Sequence, residues 1–181
     1  MVLIPWGKTA WSEADRLSSR APLSLSDSGE LQVDAWADEL AGVGLHTLYC
    51  SDELTSIETA RILAGRCRTR QRVMPELAEV DTGLWAGLTR DELKRRYPKV
   101  FKKWWSDSTS VSPPEGESVT GAFQRLREAI EQVTRQEGGR SFAVVAGPLA
   151  FALIRCMMES VDPAQMQTLL HAGPLRYPLV G

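Results

Sequence analysis

The stretch Val144 to Arg155, "VVAGPLAFALIR", indicates the fold class of this 181-residue chain. It continues the apolar run Phe142 to Ala146, which is typical of a buried central strand, and Leu149 to Met158 predicts a helix after it. The longest apolar run, Phe142 to Ile154, has 13 residues and is too short to span a bilayer. The stretch therefore predicts a strand followed by a helix in a globular fold.

The same order of strand and helix occurs earlier in the chain. Val2 to Ile4 is a short β-prone run, and Leu45 to Ser51, "LHTLYCS", predicts a buried strand followed by a helix through Ala60 and Leu63. Two further helices are predicted from apolar residues at helical spacing: Val33, Trp36, Ala37 and Leu40, and later Ala122, Phe123, Leu126, Ala129, Ile130 and Val133.

Capping residues and prolines mark the predicted boundaries. Thr89 and Glu92 form a capping box, and their helix is expected to end at Tyr97 because Pro98 follows. Further expectations are a cap within Ser26 to Ser28, a loop from Ser106 to Glu117, a helix at Pro163 and a last strand from Arg176 to Val180. Alternating strands and helices favour βαβ units. The sequence therefore predicts an α/β fold, a three-layer α/β/α sandwich with a mostly parallel central sheet, in one domain over residues 1–181.

Composition excludes several classes of function. The net charge of −2 gives no reason to expect nucleic acid or a membrane surface as a partner. The three cysteines form no disulfide or zinc pattern, and the chain has no Walker loop, no G-x-G-x-x-G and no metal-ligand spacing. No signal peptide is recognisable. We expect a cytoplasmic protein without a metal or a cofactor.

Six motifs, taken in order, resemble those of the histidine phosphatase superfamily, which has the phosphoglycerate-mutase-like fold. "LIPWGKT" (3–9) stands where that family has a strand ending in Arg-His-Gly, and "VVAGPLAFALIR" stands at its Val-Val-Ser-His-Gly segment. Between them, in order, are "LSDSG" (25–29), "CSDELTSIETA" (50–60), "LAEVDTGLWAGLT" (77–89) and "GES" (116–118) with Arg125. The resemblance covers nearly the whole chain and implies the family's fold.

The resemblance also implies where a catalytic site would lie. In that family one histidine attacks phosphorus, two arginines and a second histidine hold the phosphoryl oxygens, and a carboxylic acid protonates the leaving group. Position by position, Pro5 and Thr55 stand at the arginines, Trp6 stands at the nucleophilic histidine and Gly147 at the second one. Glu79 stands at the position of the carboxylic acid, and it is the one of these five positions where the family's residue type is retained.

Two hypotheses follow from these substitutions. Proline and tryptophan offer no nucleophile, and losing four phosphate contacts removes most of the charge stabilisation that phosphoryl transfer needs. The first interpretation is a catalytically inactive, histidine-phosphatase-like protein (a pseudophosphatase) with a binding, scaffolding or regulatory role. The alternative is a weak or altered phosphatase or phosphoglycerate-mutase-type enzyme that uses Glu79 together with Lys8 and Arg16.

Other reactive residues have competing interpretations. Lys8, Arg16 and Arg20 are weak candidates for binding an anionic ligand, and the alternative is solvated surface charge. His46 is expected at a strand edge and His171 at a helix end, so neither replaces the missing histidines. Cys50 and Cys156 lie in apolar patterns and are expected to be inert, whereas the arginines around Cys67 are a setting that can lower a thiol pKa.

The segment Lys94 to Trp105, "KRRYPKVFKKWW", places six cations among four aromatic residues. Such a segment can bind an anionic polymer, but a buried aromatic face with solvated cations is the favoured interpretation. The sequence leaves three partners open: an unidentified protein, a small anionic ligand and a second copy of the chain.

A last expectation concerns the strand ends. The strand that ends at Ile4 or Pro5 should lie beside the strand Phe142 to Ala146, because the loops after both strands must meet to form the family's pocket. A large residue at Trp6 facing a small one at Gly147 conserves volume. We therefore expect the indole to lie over Gly147, with its N–H paired, and Glu79 is the expected acceptor.

Overall fold

A five-stranded sheet forms the centre of the protein in the computed structural model, which describes residues 1–170 and 173–177. The strands are β1 (Val2–Pro5), β2 (Thr47–Cys50), β3 (Arg70–Val73), β4 (Phe142–Ala146) and β5 (Leu175–Arg176), in the order β3-β2-β4-β1-β5. β1 pairs with β4 in parallel, with Pro5 opposite Ala146, and β2 is parallel to both β3 and β4. The β1–β5 pair is antiparallel. The predicted mostly parallel sheet and the predicted neighbours β1 and β4 are therefore confirmed.

Seven α-helices and four 3₁₀ segments connect the described strands. The helices are α1 (Ala10–Glu13), α2 (Asp27–Leu40), α3 (Leu54–Cys67), α4 (Arg90–Arg96), α5 (Pro98–Ser106), α6 (Val119–Glu137) and α7 (Pro148–Glu159). The 3₁₀ segments are Pro75–Leu77, Gly83–Trp85, Ser108–Ser110 and Pro163–Leu169. Across the described residues, no helix is both long enough and apolar enough to cross a membrane.

The two faces of the sheet bury separate apolar clusters. Ile4 and Val145 pack with apolar residues of α2 and α3 on one face. Leu3 and Val144 point to the other face and pack with α6 and α7. Successive residues of a strand point to opposite faces, so these strands are apolar throughout rather than alternating. Helices on both faces give the predicted three layers.

The predicted caps are present. Ser26 accepts a hydrogen bond from the Gly29 N–H at 3.2 Å and begins α2. Thr89 accepts from the Glu92 N–H at 3.1 Å, and the Glu92 carboxylate accepts from the Thr89 N–H at 2.9 Å. These reciprocal bonds form the capping box that the sequence predicts at the start of α4.

Several boundaries differ from the predictions. Pro98 ends α4 but also begins α5, because proline is well suited to a first helical turn. The edge strand β3 was not predicted; its exposed, charged residues give no apolar run. β2 is shorter than the predicted Leu45 to Ser51, and a 3₁₀ turn lies within the predicted loop Ser106 to Glu117. Pro163 begins a 3₁₀ segment rather than an α-helix. β5 begins at Leu175, and residues 178–180 of the predicted last strand lie outside the described residues.

Candidate functional site

The carboxyl ends of β1 and β4 bring Trp6 and Gly147 together. The Trp6 N–H donates to the Ala146 carbonyl at 2.9 Å, which continues the pairing of the two strands by one residue. Trp6 is only 8 % exposed. A Cβ built on Gly147 would lie 2.8 Å from Cη2 of Trp6 and 2.5 Å from a carboxylate oxygen of Glu79. The prediction that the indole lies over Gly147 is confirmed, and we call this contact of Trp6, Gly147 and Glu79 the strand-end junction.

The Glu79 carboxylate occupies the N-terminus of α7. It accepts hydrogen bonds from the N–H groups of Leu149 at 2.9 Å, Ala150 at 2.8 Å and Val80 at 2.6 Å. The free N–H groups and the dipole of a helix N-terminus favour an anion at this place. An internal carboxylate therefore takes the position where an anionic ligand would otherwise bind to α7. The expected bond from the Trp6 indole to Glu79 is not formed, and the donors to both Glu79 oxygens are backbone N–H groups.

Burial raises the pKa of Glu79 to about 7, since the side chain has no exposed surface. The N–H groups of Leu149, Val80 and Ala150 favour the charged form and oppose this shift, while the nearby Glu53 carboxylate adds to it. Glu79 is therefore a buried acid that titrates near neutral pH. Groups of this kind are suited to proton transfer.

Two neighbouring groups hold the backbone of Glu79. The Glu79 N–H donates to both oxygens of Glu53, at 3.0 and 3.2 Å, and Arg20 Nε donates to the Glu79 carbonyl at 3.3 Å. Burial also raises the pKa of Glu53. Arg125 supports the preceding residues by donating to the carbonyls of Glu76 and Ala78, at 2.7 and 3.0 Å. The candidate acid is therefore fixed at both its backbone and its side chain.

A cleft of about 490 Å³ lies outside Trp6, and we call it the Trp6 cleft. Its walls include Trp36, Gln32 and Pro148. The predicted residues Pro5 and Lys8 line it as well, and Lys8 is exposed. Trp6 lines this cleft, whereas Gly147 and Glu79 do not.

The other predicted residues are dispersed. Thr55 is buried and donates its hydroxyl to the Leu23 carbonyl, so it faces the backbone. Arg16 donates to the Gly87 carbonyl at 2.6 Å and does not line the Trp6 cleft. Arg20 supports Glu79 and lies 3.7 Å from a carboxylate oxygen of Glu117. The three predicted cations are thus not assembled into one anion site.

The histidine and cysteine predictions have mixed outcomes. His46 precedes β2, with Nδ1 3.0 Å from a carboxylate oxygen of Glu137, as expected of a strand-edge residue. Burial raises the pKa of Cys50 and Cys156 to about 11, which agrees with inert thiols. The suggestion of a lowered pKa for Cys67 is wrong, because burial raises it. His171 lies outside the described residues. Within residues 1–170 and 173–177, no three His, Cys, Asp or Glu side chains are grouped as a metal site would require.

The sequence profile of the histidine phosphatase superfamily (branch 1) matches residues 1–175. The chain belongs to this superfamily. It is 24% identical over 162 residues to phosphoserine phosphatase 1 of Hydrogenobacter thermophilus, covering 90% of this chain and 77% of that protein. It is 32% identical over 147 residues to a bifunctional protein of Mycobacterium tuberculosis, covering 81% of this chain but only 40% of that protein. The superfamily fold and the predicted resemblance are thereby confirmed.

Solved structures lead to the same fold. A mycobacterial glucosyl-3-phosphoglycerate phosphatase matches with a TM-score of 0.87 and 23% identity, over 97% of this chain and 90% of that chain.

The relatives correct the first functional interpretation. Proteins similar over most of this chain are named as phosphatases, which contradicts a catalytically inactive binding, scaffolding or regulatory protein and favours the enzymatic alternative. That Pro5, Trp6, Thr55 and Gly147 stand at catalytic positions of the superfamily remains a prediction.

Sequence reasoning missed two parts of this region. Glu53 was not singled out, although it directly precedes α3 and its carboxylate accepts a hydrogen bond from the Glu79 N–H. Gln167 was also missed, because nothing in the sequence distinguishes this glutamine from the others. Its surroundings are set by the packing of the 3₁₀ segment against α5 and α7.

Proposed function

We propose that the protein is a phosphate-monoester hydrolase of altered chemistry, in which Glu79 is the acid–base group. The observation that carries the proposal is the buried Glu79 carboxylate with a pKa of about 7, in direct contact with Trp6 and the Gly147 position. The names of the relatives support a phosphatase rather than another class of enzyme.

The reaction proceeds by direct attack of water. A histidine nucleophile is not present at position 6, and the described histidine, His46, lies at the other end of β2. Water forms the new bond to phosphorus while the bond to the leaving oxygen breaks. Glu79 takes the proton from the water and returns it to the leaving oxygen, which balances the step. A group that titrates near pH 7 can do both at neutral pH.

The Trp6 cleft provides the entry. Lys8 is the cation in its wall and attracts the phosphoryl group. The Trp6 ring stands between this cleft and Glu79, so it has to move aside in each turnover. With one cation and a ring to displace, we expect turnover far below that of relatives that form a phosphohistidine.

The test is hydrolysis of p-nitrophenyl phosphate by the full chain and three variants. Glu79→Gln removes the proton acceptor and should abolish turnover. Lys8→Gln should raise KM with little effect on kcat, since it acts on binding. Glu13→Gln is the matched control, because Glu13 lines the same cleft but is held by Ser26 and Ser28 at the surface. This control should retain turnover.

Two results would contradict the proposal. One is turnover that is absent from the wild-type protein or unchanged by Glu79→Gln. The other is an acid-labile phosphoenzyme that mass spectrometry assigns to His46 or His171, because such an intermediate replaces direct attack by water.

A further inference from the structure

The outer surface of α4 and α5 carries a dense group of cations. The two helices follow each other directly, with Tyr97 between them, and contact one another. Six of their cationic side chains are exposed and lie within ten residues of the chain. We call these six the basic surface: Lys94, Arg95, Arg96, Lys99, Lys102 and Lys103.

This surface concentrates the positive charge of the whole chain. Residues 90–105 hold seven of the 21 Lys and Arg residues but only two of the 23 Asp and Glu residues. The segment therefore has a net charge of +5, and the remainder of the chain has −7. The overall charge of −2 conceals this asymmetry, and a protein so polarised presents one face to an anionic partner.

The cations of the basic surface are not paired within the chain. Across residues 1–170 and 173–177, none of the six takes part in an ion pair. Two nearby acids have other partners. The Glu92 carboxylate accepts from the Thr89 N–H and lies 3.6 Å from Arg16, and Asp107 accepts from the N–H and the hydroxyl of Thr109. The basic surface is therefore available to an external anion.

Exposed aromatic rings lie at both ends of α5. Trp104 is buried, as the favoured interpretation of this segment expects, but Tyr97 and Trp105 are each 42 % exposed. Tyrosine and tryptophan are enriched where a protein meets the headgroup level of a bilayer, because each ring has an apolar body and a polar tip. The two rings therefore suit the boundary between water and lipid.

The shape of the region argues against a small anion and against single-stranded nucleic acid. None of the six cations lines the Trp6 cleft or the neighbouring space whose walls include Trp104 and Gln167. Proteins that bind single strands combine a cationic groove with free aromatic rings for the bases. Here the Trp105 ring is stacked on Phe101, at 5.7 Å between centroids, and Arg90 Cζ lies 5.4 Å from its centre, so a base would compete with both contacts. An extended anionic surface is the better match.

We propose that the basic surface binds peripherally to a bilayer that contains anionic phospholipids. Clusters of about four to eight Lys and Arg residues on a helix are typical of proteins that bind phosphatidylserine. The six cations contact the headgroups, while Tyr97 and Trp105 lie at the headgroup level. The more acidic remainder of the chain faces away, because the bilayer repels it. The proposal does not depend on hydrolysis, since vesicle binding needs no turnover and Glu79→Gln should bind vesicles as the wild type does.

Co-sedimentation of the full chain with phospholipid vesicles is the primary test. Vesicles of phosphatidylcholine with about a third of phosphatidylserine should bind the protein at least about tenfold more tightly than phosphatidylcholine alone, and added salt should weaken the binding. The triple variant Lys99→Gln, Lys102→Gln, Lys103→Gln removes half of the basic surface at exposed positions of α5. It should bind about a hundredfold more weakly, at about fivefold for each cation.

The matched control is the triple variant Arg61→Gln, Arg68→Gln, Arg70→Gln. These three arginines are also exposed and the net charge changes equally, but they belong to α3, to the residue after it and to β3. Vesicle binding by this variant should stay within about threefold of the wild type, since these positions lie outside the basic surface.

Four results would overturn the proposal. They are no binding to either vesicle, equal binding to both vesicle compositions, equal losses in the lysine and arginine triple variants, and tighter binding to DNA. The last is measured by fluorescence anisotropy with a labelled duplex and a single-stranded oligonucleotide at the same salt concentration. Binding of either oligonucleotide that exceeds vesicle binding and is lost in the lysine variant would assign the basic surface to nucleic acid instead.

Discussion

The strand-end junction and the cavity beside α5, whose walls include Phe101, Trp104 and Gln167, are neighbours, because Ser12 and Pro148 line both this cavity and the Trp6 cleft. The two regions differ in how their buried polar groups are paired. At the junction the Glu79 carboxylate accepts three backbone N–H groups and a tryptophan ring fills the remaining space. In the cavity an indole and an amide have no acceptor. The buried carboxylate of one region is fully paired, whereas two buried donors of the other are not.

This difference bears on where a ligand gains binding energy. A ligand at the junction has to displace a buried ring and compete with Glu79 for the N-terminus of α7. The unpaired donors beside α5 are covered by protein atoms and have no hydrogen bond to lose. We therefore expect weak binding over Trp6, and substitutions in the two regions should have different costs.

The largest effect is expected for Trp6→Ala. Its ring is 8 % exposed and packs against Gly147, so truncation leaves a cavity at the junction. The free energy of unfolding should fall by about 3–5 kcal/mol, measured by urea denaturation. Trp105→Ala is the comparison, because that ring is 42 % exposed and should cost less. Equal losses in the two variants would mean that the junction is not tightly packed.

Gly147→Ala should be nearly as costly. The added Cβ would lie 2.5 Å from Glu79 Oε2 and 2.8 Å from Trp6 Cη2, both closer than side-chain carbons approach other atoms. We expect a loss of up to about 3 kcal/mol in the free energy of unfolding. Gly65→Ala is the control: this helical glycine has open space around its Cβ position and should gain about 1 kcal/mol.

A further test of Gly147→Ala is the double variant with Trp6→Phe. The smaller ring withdraws from the contact. The loss of unfolding free energy in the double variant should therefore be smaller than the sum of the losses in the two single variants. Strict additivity would show that the glycine and the indole do not share space.

The pH dependence of stability reports on Glu79. Its pKa is raised to about 7, so the folded protein binds more protons than the unfolded chain between about pH 4.5 and 7. Stability should therefore fall as the pH rises through that window, by about 2 kcal/mol between pH 5 and 7 from this group. Burial raises the pKa of Glu53 as well and acts in the same direction.

Glu79→Gln separates the two carboxylates. The variant should lose the Glu79 part of the slope while Glu53 retains its own, as measured by urea midpoints at pH 5, 6 and 7. A slope that is identical in the variant and the wild type would mean that Glu79 keeps an ordinary pKa.

The smallest effect is expected for Gln167→Met. Since Gln167 Nε2 has no partner, removing the amide breaks no hydrogen bond of that nitrogen, and the free energy of unfolding should change by less than about 1 kcal/mol or increase slightly. Gln71→Met is the matched comparison, because Gln71 Nε2 donates to the Ile57 carbonyl at 3.4 Å and to Cys50 Sγ at 3.3 Å. It should be the more costly of the two. The reverse order would show that Gln167 is held by a contact of its own.

Much of the fold follows from local patterns in the sequence. The apolar runs at β1 and β4 and the capping box at Thr89 carry their structure in their own residues, and their order matches a known superfamily. β3 could not be predicted from its sequence, because an exposed edge strand owes its conformation to pairing with β2 rather than to its own residues. Pro98 was ambiguous because the same residue can end one helix and begin the next.

Contacts in the site could be predicted from the sequence only where side-chain volumes and the order of strands in the sheet determine them. The contact of Trp6 with Gly147 follows from two strand ends that must meet, and it is present. The acceptor of the Trp6 indole was predicted wrongly, because the Glu79 oxygens accept from backbone N–H groups at the start of α7 instead. The dispersal of Lys8, Arg16 and Arg20 follows from loop paths that sequence spacing does not determine.

The position of β1 in the sheet has a consequence for the order of events during synthesis. Its partners are residues 143–146 of β4 and residues 175–176 of β5, so more than a hundred residues have to be made before it can pair. At about 5–20 residues per second, Leu3 and Ile4 wait on the order of 10 s or more without a partner. β2, α3 and β3 contact one another and can assemble earlier. The nascent chain thus carries the apolar residues of β1 without their sheet partners until β4 emerges.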